Sequence, residues 1–271
     1  MAQVSRLREP TRWSVDIAVA GRCGLDSGVS LWSSWYMQHV PRPAPPAASQ
    51  RFSAFFGGDT GFQFHGAREE EEANAALSSA ATPLLPPSRA AYPICPLFAQ
   101  VRRRLGVPDL LLLPISVGAT LSFLKSYEPP LPVALKLFPS ISDGLTGANH
   151  MGPRDAVRAM RIMTDAQHGE ADEAADEAGV PDDWQALDAT PPAVRAPRAP
   201  LALAVHWGTF VADAAEAEAS MRQLREACDA TGTGGVRFCR GAAQTQAWLG
   251  SRSEADGGAF AALDHGETVW L

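Results

Sequence analysis

Cysteine is scarce in this chain. The four present, Cys23, Cys95, Cys228 and Cys239, are spread over 271 residues with no C-x-x-C pair and no zinc-finger spacing, so free thiols in a reducing compartment are expected. Long apolar runs are missing too. The longest, Leu110 to Leu113 continuing through Pro114, Ile115 and Val117, falls far short of the roughly 20 residues that span a bilayer. Arg6, Arg8, Arg12 and Asp16 interrupt the start of the chain, where a secretory leader would carry its apolar core. The expected location is cytoplasmic. Positive charge is also in deficit: 23 Lys and Arg against 30 Asp and Glu leave a net charge of -7. The one tight basic run is Arg102-Arg103-Arg104, which disfavours nucleic acid as a partner. The acidic run Glu69 to Glu72 lacks the alternating Asp/Asn spacing and central glycine of a calcium loop and reads as a solvated face.

What is present suits a folded core. A hydrophobic content of 46% is enough for one large domain or two small ones. Strands are expected at Val29 to Met37, Ser53 to Gly58, Asp109 to Ser116, Leu201 to Trp207, and Phe260 to Leu263 with Thr268 to Leu271, each rich in aliphatic and aromatic residues and bounded by Gly, Pro or Asp. Helices are expected at Leu97 to Leu105, Pro153 to Gln167 and Asp213 to Ala230. The second opens on proline and repeats apolar residues at Ala156, Val157, Met160 and Met163. Alternation of strand and helix predicts an α/β architecture. Three stretches interrupt it, residues 40–50, 67–93 and 169–200, dense in Pro, Ala and acidic residues. Such composition cannot bury enough surface to offset ordering entropy, so these read as partly disordered surface insertions.

Chemistry concentrates at two strand ends. Phe55-Phe56-Gly57-Gly58-Asp59-Thr60-Gly61 and Ala204-Val205-His206-Trp207-Gly208-Thr209-Phe210 each run an apolar strand into a glycine-flanked turn that presents one metal-ligand side chain. Hydrolytic zinc sites are built this way, with a carboxylate able to bridge cations and an imidazole closing a shell. Taken singly, Asp59 is also an ordinary turn residue, and His206 an ordinary core histidine. His150 precedes the Pro153 helix, where backbone N–H groups favour an anion such as phosphate; it is equally a loop histidine beside a capping Asn149. His265, in Asp264-His265-Gly266-Glu267, fits a hairpin turn between the last two strands.

In this order the blocks resemble the C-terminal half of the metallo-β-lactamase superfamily, in the N-acylphosphatidylethanolamine-hydrolysing phospholipase D family. Arg22 to Trp35 is similar to its arginine-to-LW.SW segment, Phe55 to Phe62 to FFAGDTGY, and Cys95-Pro96-Leu97-Phe98 to the opening of its next helix. Asp109 to Pro114 with Gly118-Ala119 resembles DL..iPIGAY, although Thr120 replaces the tyrosine. Asn149 to Asp165 resembles QHV.PE.AV.IH.D, Ala204 to Phe210 resembles AIHWGTF, and His265-Gly266-Glu267 the closing HGE. The resemblance implies part of an αββα sandwich spanning residues 1–271, two zinc ions in the cleft between sheets, and phosphodiester hydrolysis releasing N-acylethanolamine and phosphatidic acid. It implies Asp59 as a catalytic carboxylate bridging both zincs and His206 as a terminal ligand. His150 becomes a proton donor or phosphate contact, and His265 a further substrate contact. A phospholipid or membrane surface is the implied partner, with a homodimer as the assembly. The family's His-x-His-x-Asp-His motif does not occur in the sequence, so the expectation for this chain by itself is an inactive fragment, or a non-catalytic lipid-binding or interaction module of the same descent.

Overall fold

The computed structural model describes residues 4–7, 13–20, 34–41, 52–62, 95, 97–115, 151–164, 199–208, 211, 213–231, 235–253 and 256–271, with backbone alone at 4–7, 13–20 and 39–41. Among these residues the strands are β1 (Val4–Leu7), β2 (Trp13–Ala20), β3 (Ser34–Pro41), β4 (Ser53–Phe56), β5 (Leu110–Pro114), β6 (Leu201–Val205), β7 (Arg237–Arg240) and β8 (Ala259–Ala262). The helices are α1 (Leu97–Leu105), α2 (Pro153–Thr164), α3 (Ala214–Asp229) and α4 (Gly241–Ser251).

The strands form one sheet in the order β1-β2-β3-β4-β5-β6-β8-β7. Its first four strands pair antiparallel, and from β4 onward every pairing is parallel. The parallel half is mixed α/β, as the alternation of elements requires, because parallel neighbours need a crossover. The C-terminal ends of β4, β5, β6, β8 and β7 therefore lie along one edge.

Alternation across the pleat sends Phe55, Leu111, Leu113, Ala202, Ala204, Phe260 and Ala262 to one face, where they form the main core with α1, α2 and α3. Phe98 of α1 meets Phe55 edge-on at 6.2 Å and Phe62 at 5.8 Å. The amphipathic stripe of α2 buries Ala156, Val157, Met160 and Met163. On the opposite face, Leu201, Cys239, Ala259 and Ala261 pack under Trp248 of α4. That helix serves only one end of the sheet. Along the register Trp35, Phe56, Leu112, Leu203, Ala261, Cys239, exposure falls from 36% at Trp35 and Phe56 to 1% or less at Ala261 and Cys239.

Several expectations meet the structure closely. The first helix has the expected bounds, and α3 starts after Asp213, whose side chain accepts from the Glu216 N–H, and stops before Ala230. The second ends at Thr164, and the residues after it lie outside those described. Others need correction. Residues 268–271 are not a strand; Trp270 is tied instead to α4, its N–H donating to Gln246 Oε1 at 2.9 Å and its carbonyl accepting from Gln246 Nε2 at 3.2 Å. β3 continues past the expected Met37 through Pro41, two residues into the first proposed insertion, because Val40 and Pro41 pair with Ser14 and Trp13; residues 29–33 of the expected strand lie outside those described. The rest of that insertion, residues 67–93, and 169–198 of the third lie outside the described residues. Cys95 is disulfide-bonded, against the expectation of free thiols; spacing arguments detect only local pairs, and a bond made by folding leaves no such mark. Cys228 and Cys239 are free and buried.

Candidate functional site

The turn after β4 is fixed before it presents Asp59. Gly57 N–H donates to the Leu112 carbonyl at 2.8 Å, and Ser34 Oγ donates to the Gly57 carbonyl at 2.9 Å. A Cβ on Gly57 would stand 3.3 Å from both the Leu112 oxygen and Pro114 Cδ, tighter than an ordinary contact, so a side chain here would require β5 to shift by a few tenths of an ångström. Beyond Asp59, the Thr60 carbonyl accepts from Met151 N–H at 3.2 Å, and the Phe62 carbonyl accepts from Cys95 N–H at 2.9 Å. Phe62 is buried under α1, with the Arg158 guanidinium of α2 4.7 Å from its ring centroid. At the other end of the strand pair, Asp109 holds the start of β4, its Oδ2 accepting from the Ser53 N–H at 2.9 Å and Oγ at 3.1 Å.

His206 follows β6 directly and adopts φ +57, a left-handed conformation that costs a non-glycine residue roughly 1–2 kcal/mol. The kink turns its imidazole across the edge of the sheet toward Asp59. Nε2 of His206 lies 3.3 Å from Oδ1 of Asp59, with the side chains 23% and 36% exposed. The two residues named from their turns thus meet, across the intervening β5, at the C-terminal edge of the parallel strands. Such edges are where open α/β sheets place ligands.

No protein-family model, characterised protein or solved structure matches the chain.

Two further site residues were expected, His150 and His265. His150 lies outside the described residues, although its neighbour Met151 bonds to the Asp59 turn. His265 is exposed at the tip of the turn after β8, where Glu267 N–H donates to the Asp264 carbonyl at 3.1 Å and Glu267 Oε2 accepts from the Asp264 N–H at 2.7 Å. Among the described residues no group of three or more His, Cys, Asp or Glu converges as a metal-ligand cluster. No described helix is long and apolar enough to cross a membrane.

One contributor to this edge escaped sequence reasoning. Arg240, at the end of β7, places its guanidinium 5.4 Å from the ring centroid of Trp207, the residue after His206. Its only sequence signal was membership of the short strand Arg-Phe-Cys-Arg, too brief and too charged to be recognised.

Proposed function

We propose that Asp59 and His206 are two ligands of a zinc site of the type that hydrolyses phosphodiesters of N-acylated phospholipids, carried on one half of a metallo-β-lactamase-like αββα sandwich. The observation behind this reading is the 3.3 Å separation of a carboxylate oxygen and an imidazole nitrogen. Zinc–ligand bonds of ~2.0–2.2 Å at tetrahedral angles put neighbouring donor atoms about 3.3–3.6 Å apart, a range whose lower end the pair matches. A direct charge-assisted hydrogen bond would draw the pair to about 2.7–2.9 Å. One oxygen and one nitrogen donor suit zinc, and a shell of about four needs further ligands from water or from residues beyond those described. The apolar face bearing Trp35 and Phe56 supports the half-sandwich, since it is the side on which a second sheet would pack.

When bound, zinc supplies Lewis-acid polarisation of a phosphoryl oxygen and lowers the pKa of coordinated water toward neutrality. This chain's part is positional. The bonds at Gly57, Thr60 and Phe62 hold Asp59 on a rigid turn, and the left-handed backbone at His206 aims Nε2 at it. His150, adjacent to the residue bonded to that turn, keeps its proposed place near the substrate phosphate. The two ligands among the described residues would by themselves hold zinc weakly, and without the His-x-His-x-Asp-His motif the 271-residue chain is expected not to turn over.

A competition titration of zinc against a chromophoric chelator tests this, with bis(p-nitrophenyl) phosphate hydrolysis followed in parallel. Wild type is expected to hold one zinc weakly, Asp59→Asn and His206→Gln to lose it, and none to hydrolyse the ester. Equal zinc binding by all three would overturn the ligand assignment, and tight stoichiometric zinc with turnover would overturn the half-site. The same open face favours a second reading, a lipid-binding or interaction module without catalysis; vesicle binding unaffected by zinc or by Asp59→Asn would select it.

A further inference from the structure

We infer that Arg240 is a positioning residue for His206, acting through Trp207, and that the Asp264–Glu267 turn serves to anchor that arginine. The inference rests on the zinc-site reading only for what His206 is positioned to do.

A left-handed histidine at the end of a strand does not hold itself. Its backbone conformation is unfavourable, so surrounding contacts must determine it. On the strand side, Ile115 N–H donates to the Val205 carbonyl at 3.3 Å. On the other side is Trp207, partly buried against the main core and covered by the Arg240 guanidinium. A cation over an indole attracts it electrostatically, more strongly where the pair is desolvated.

The guanidinium is held in turn on two sides. Nη1 donates to the Ala262 carbonyl at 3.1 Å, and Nη2 is paired with the carboxylate of Asp264. Asp264 belongs to the turn closed by Glu267, whose carboxylate also sits at the start of α4, where a Cβ on Gly241 would lie 3.2 Å from Oε1. The Arg240 N–H donates to Gln244 Oε1 at 2.9 Å, fixing its backbone to the first turn of α4. A continuous set of contacts therefore runs from Glu267 through Asp264 and Arg240 to Trp207, the residue directly after His206. It explains the closing Asp-His-Gly-Glu segment as scaffolding: Asp264 and Glu267 bond inward, while His265 is exposed. The fork geometry is specific to arginine, because a lysine ammonium could meet the ring or the carboxylate but not both together with the carbonyl.

The test combines cobalt(II) affinity, read from visible absorption, with the His206 imidazole 15N and 13C resonances at fixed pH, in the 271-residue chain. Arg240→Ala is expected to move the His206 resonances and weaken cobalt roughly tenfold, as loss of a group supporting a metal ligand does. Arg240→Lys should recover only part of both. Asp264→Asn, which keeps the arginine and loosens its anchor, should shift both in the same direction, and it supplies the readout if Arg240→Ala fails to fold. His206 resonances and cobalt affinity unchanged in Arg240→Ala, while Asp59→Asn alters them, would overturn the inference and leave the Asp59–His206 site standing. If cobalt leaves the wild-type His206 resonances unmoved, the metal reading fails. The inference then stands or falls on whether Arg240→Ala moves them.

Discussion

Trp35 and Phe56 stand opposite each other across β3 and β4, on the face of the sheet turned away from α1, α2 and α3. Each remains 36% exposed, whereas their counterparts on the other face, Tyr36 and Phe55, are buried, and Tyr36 donates its hydroxyl to the Leu105 carbonyl at 2.9 Å. An open aromatic pair beside Leu112 invites a covering partner. Replacing both by threonine, which suits a strand without offering apolar surface, should lower binding of the dye ANS and slow aggregation, with far-UV circular dichroism unchanged. Dye binding equal to wild type would mean that this face is not the one available.

His206 offers a contrast between stability and chemistry. At φ +57 glycine is at ease and alanine is not, so His206→Gly should be more stable than His206→Ala by about 1 kcal/mol. Denaturant unfolding reads the difference. Equal stabilities would show that the backbone relaxes once the imidazole is gone and that the strain is imposed by the side chain's contacts.

The free thiols set an alkaline limit. Burial pushes the Cys228 thiol up to about 12 from 9.0, and burial raises that of Cys239 as well. In the unfolded chain these thiols ionise near pH 9 while the folded chain keeps their protons. The native state then binds more protons, and stability falls as pH rises. The contribution of Cys228 is therefore complete below pH 9 and lost between about 9 and 12, on the order of 4 kcal/mol at ~1.4 kcal/mol per pH unit. Cys228→Ala should flatten this part of the stability–pH curve, and iodoacetamide should label Cys228 only on unfolding. Rapid labelling of the folded chain near neutral pH would contradict the burial argument.

At the start of α3, Asp213 Oδ1 accepts from the Glu216 N–H at 2.9 Å. Asp213→Ala leaves that helix end without its side-chain acceptor and should cost about 1 kcal/mol, with Asp213→Asn largely retaining the cap. Thermal unfolding of the two variants separates them.

Legibility from sequence followed the strength of local signals. β4, β5, β6, α1, α2 and α3 combine marked apolar pattern with Gly, Pro or Asp at their ends, and their positions were accessible. α4 was not: Gly241-Ala-Ala-Gln-Thr-Gln-Ala-Trp-Leu-Gly-Ser has no charged face and no helical stripe, and it forms because Trp248 has an apolar floor in Leu201, Ala259 and Ala261. β7 is stabilised by its pairing to β8, which four residues cannot announce. Thr268 to Leu271 has strand-like composition, but Gln246 takes both backbone groups of Trp270. Asp59 and His206 were visible as ligand types at strand ends. Their meeting depends on β4, β5 and β6 being parallel neighbours, and the part of Arg240 depends on a strand the sequence hides.

On the proposed function, Asp59 and His206 would share one zinc ion. Anomalous diffraction at the zinc edge from crystals equilibrated with zinc addresses it directly. The expected result is a peak about 2.0–2.2 Å from both Asp59 Oδ1 and His206 Nε2, lost in Asp59→Asn. Zinc found elsewhere, with the carboxylate and imidazole closed to a direct hydrogen bond of about 2.8 Å, would contradict it.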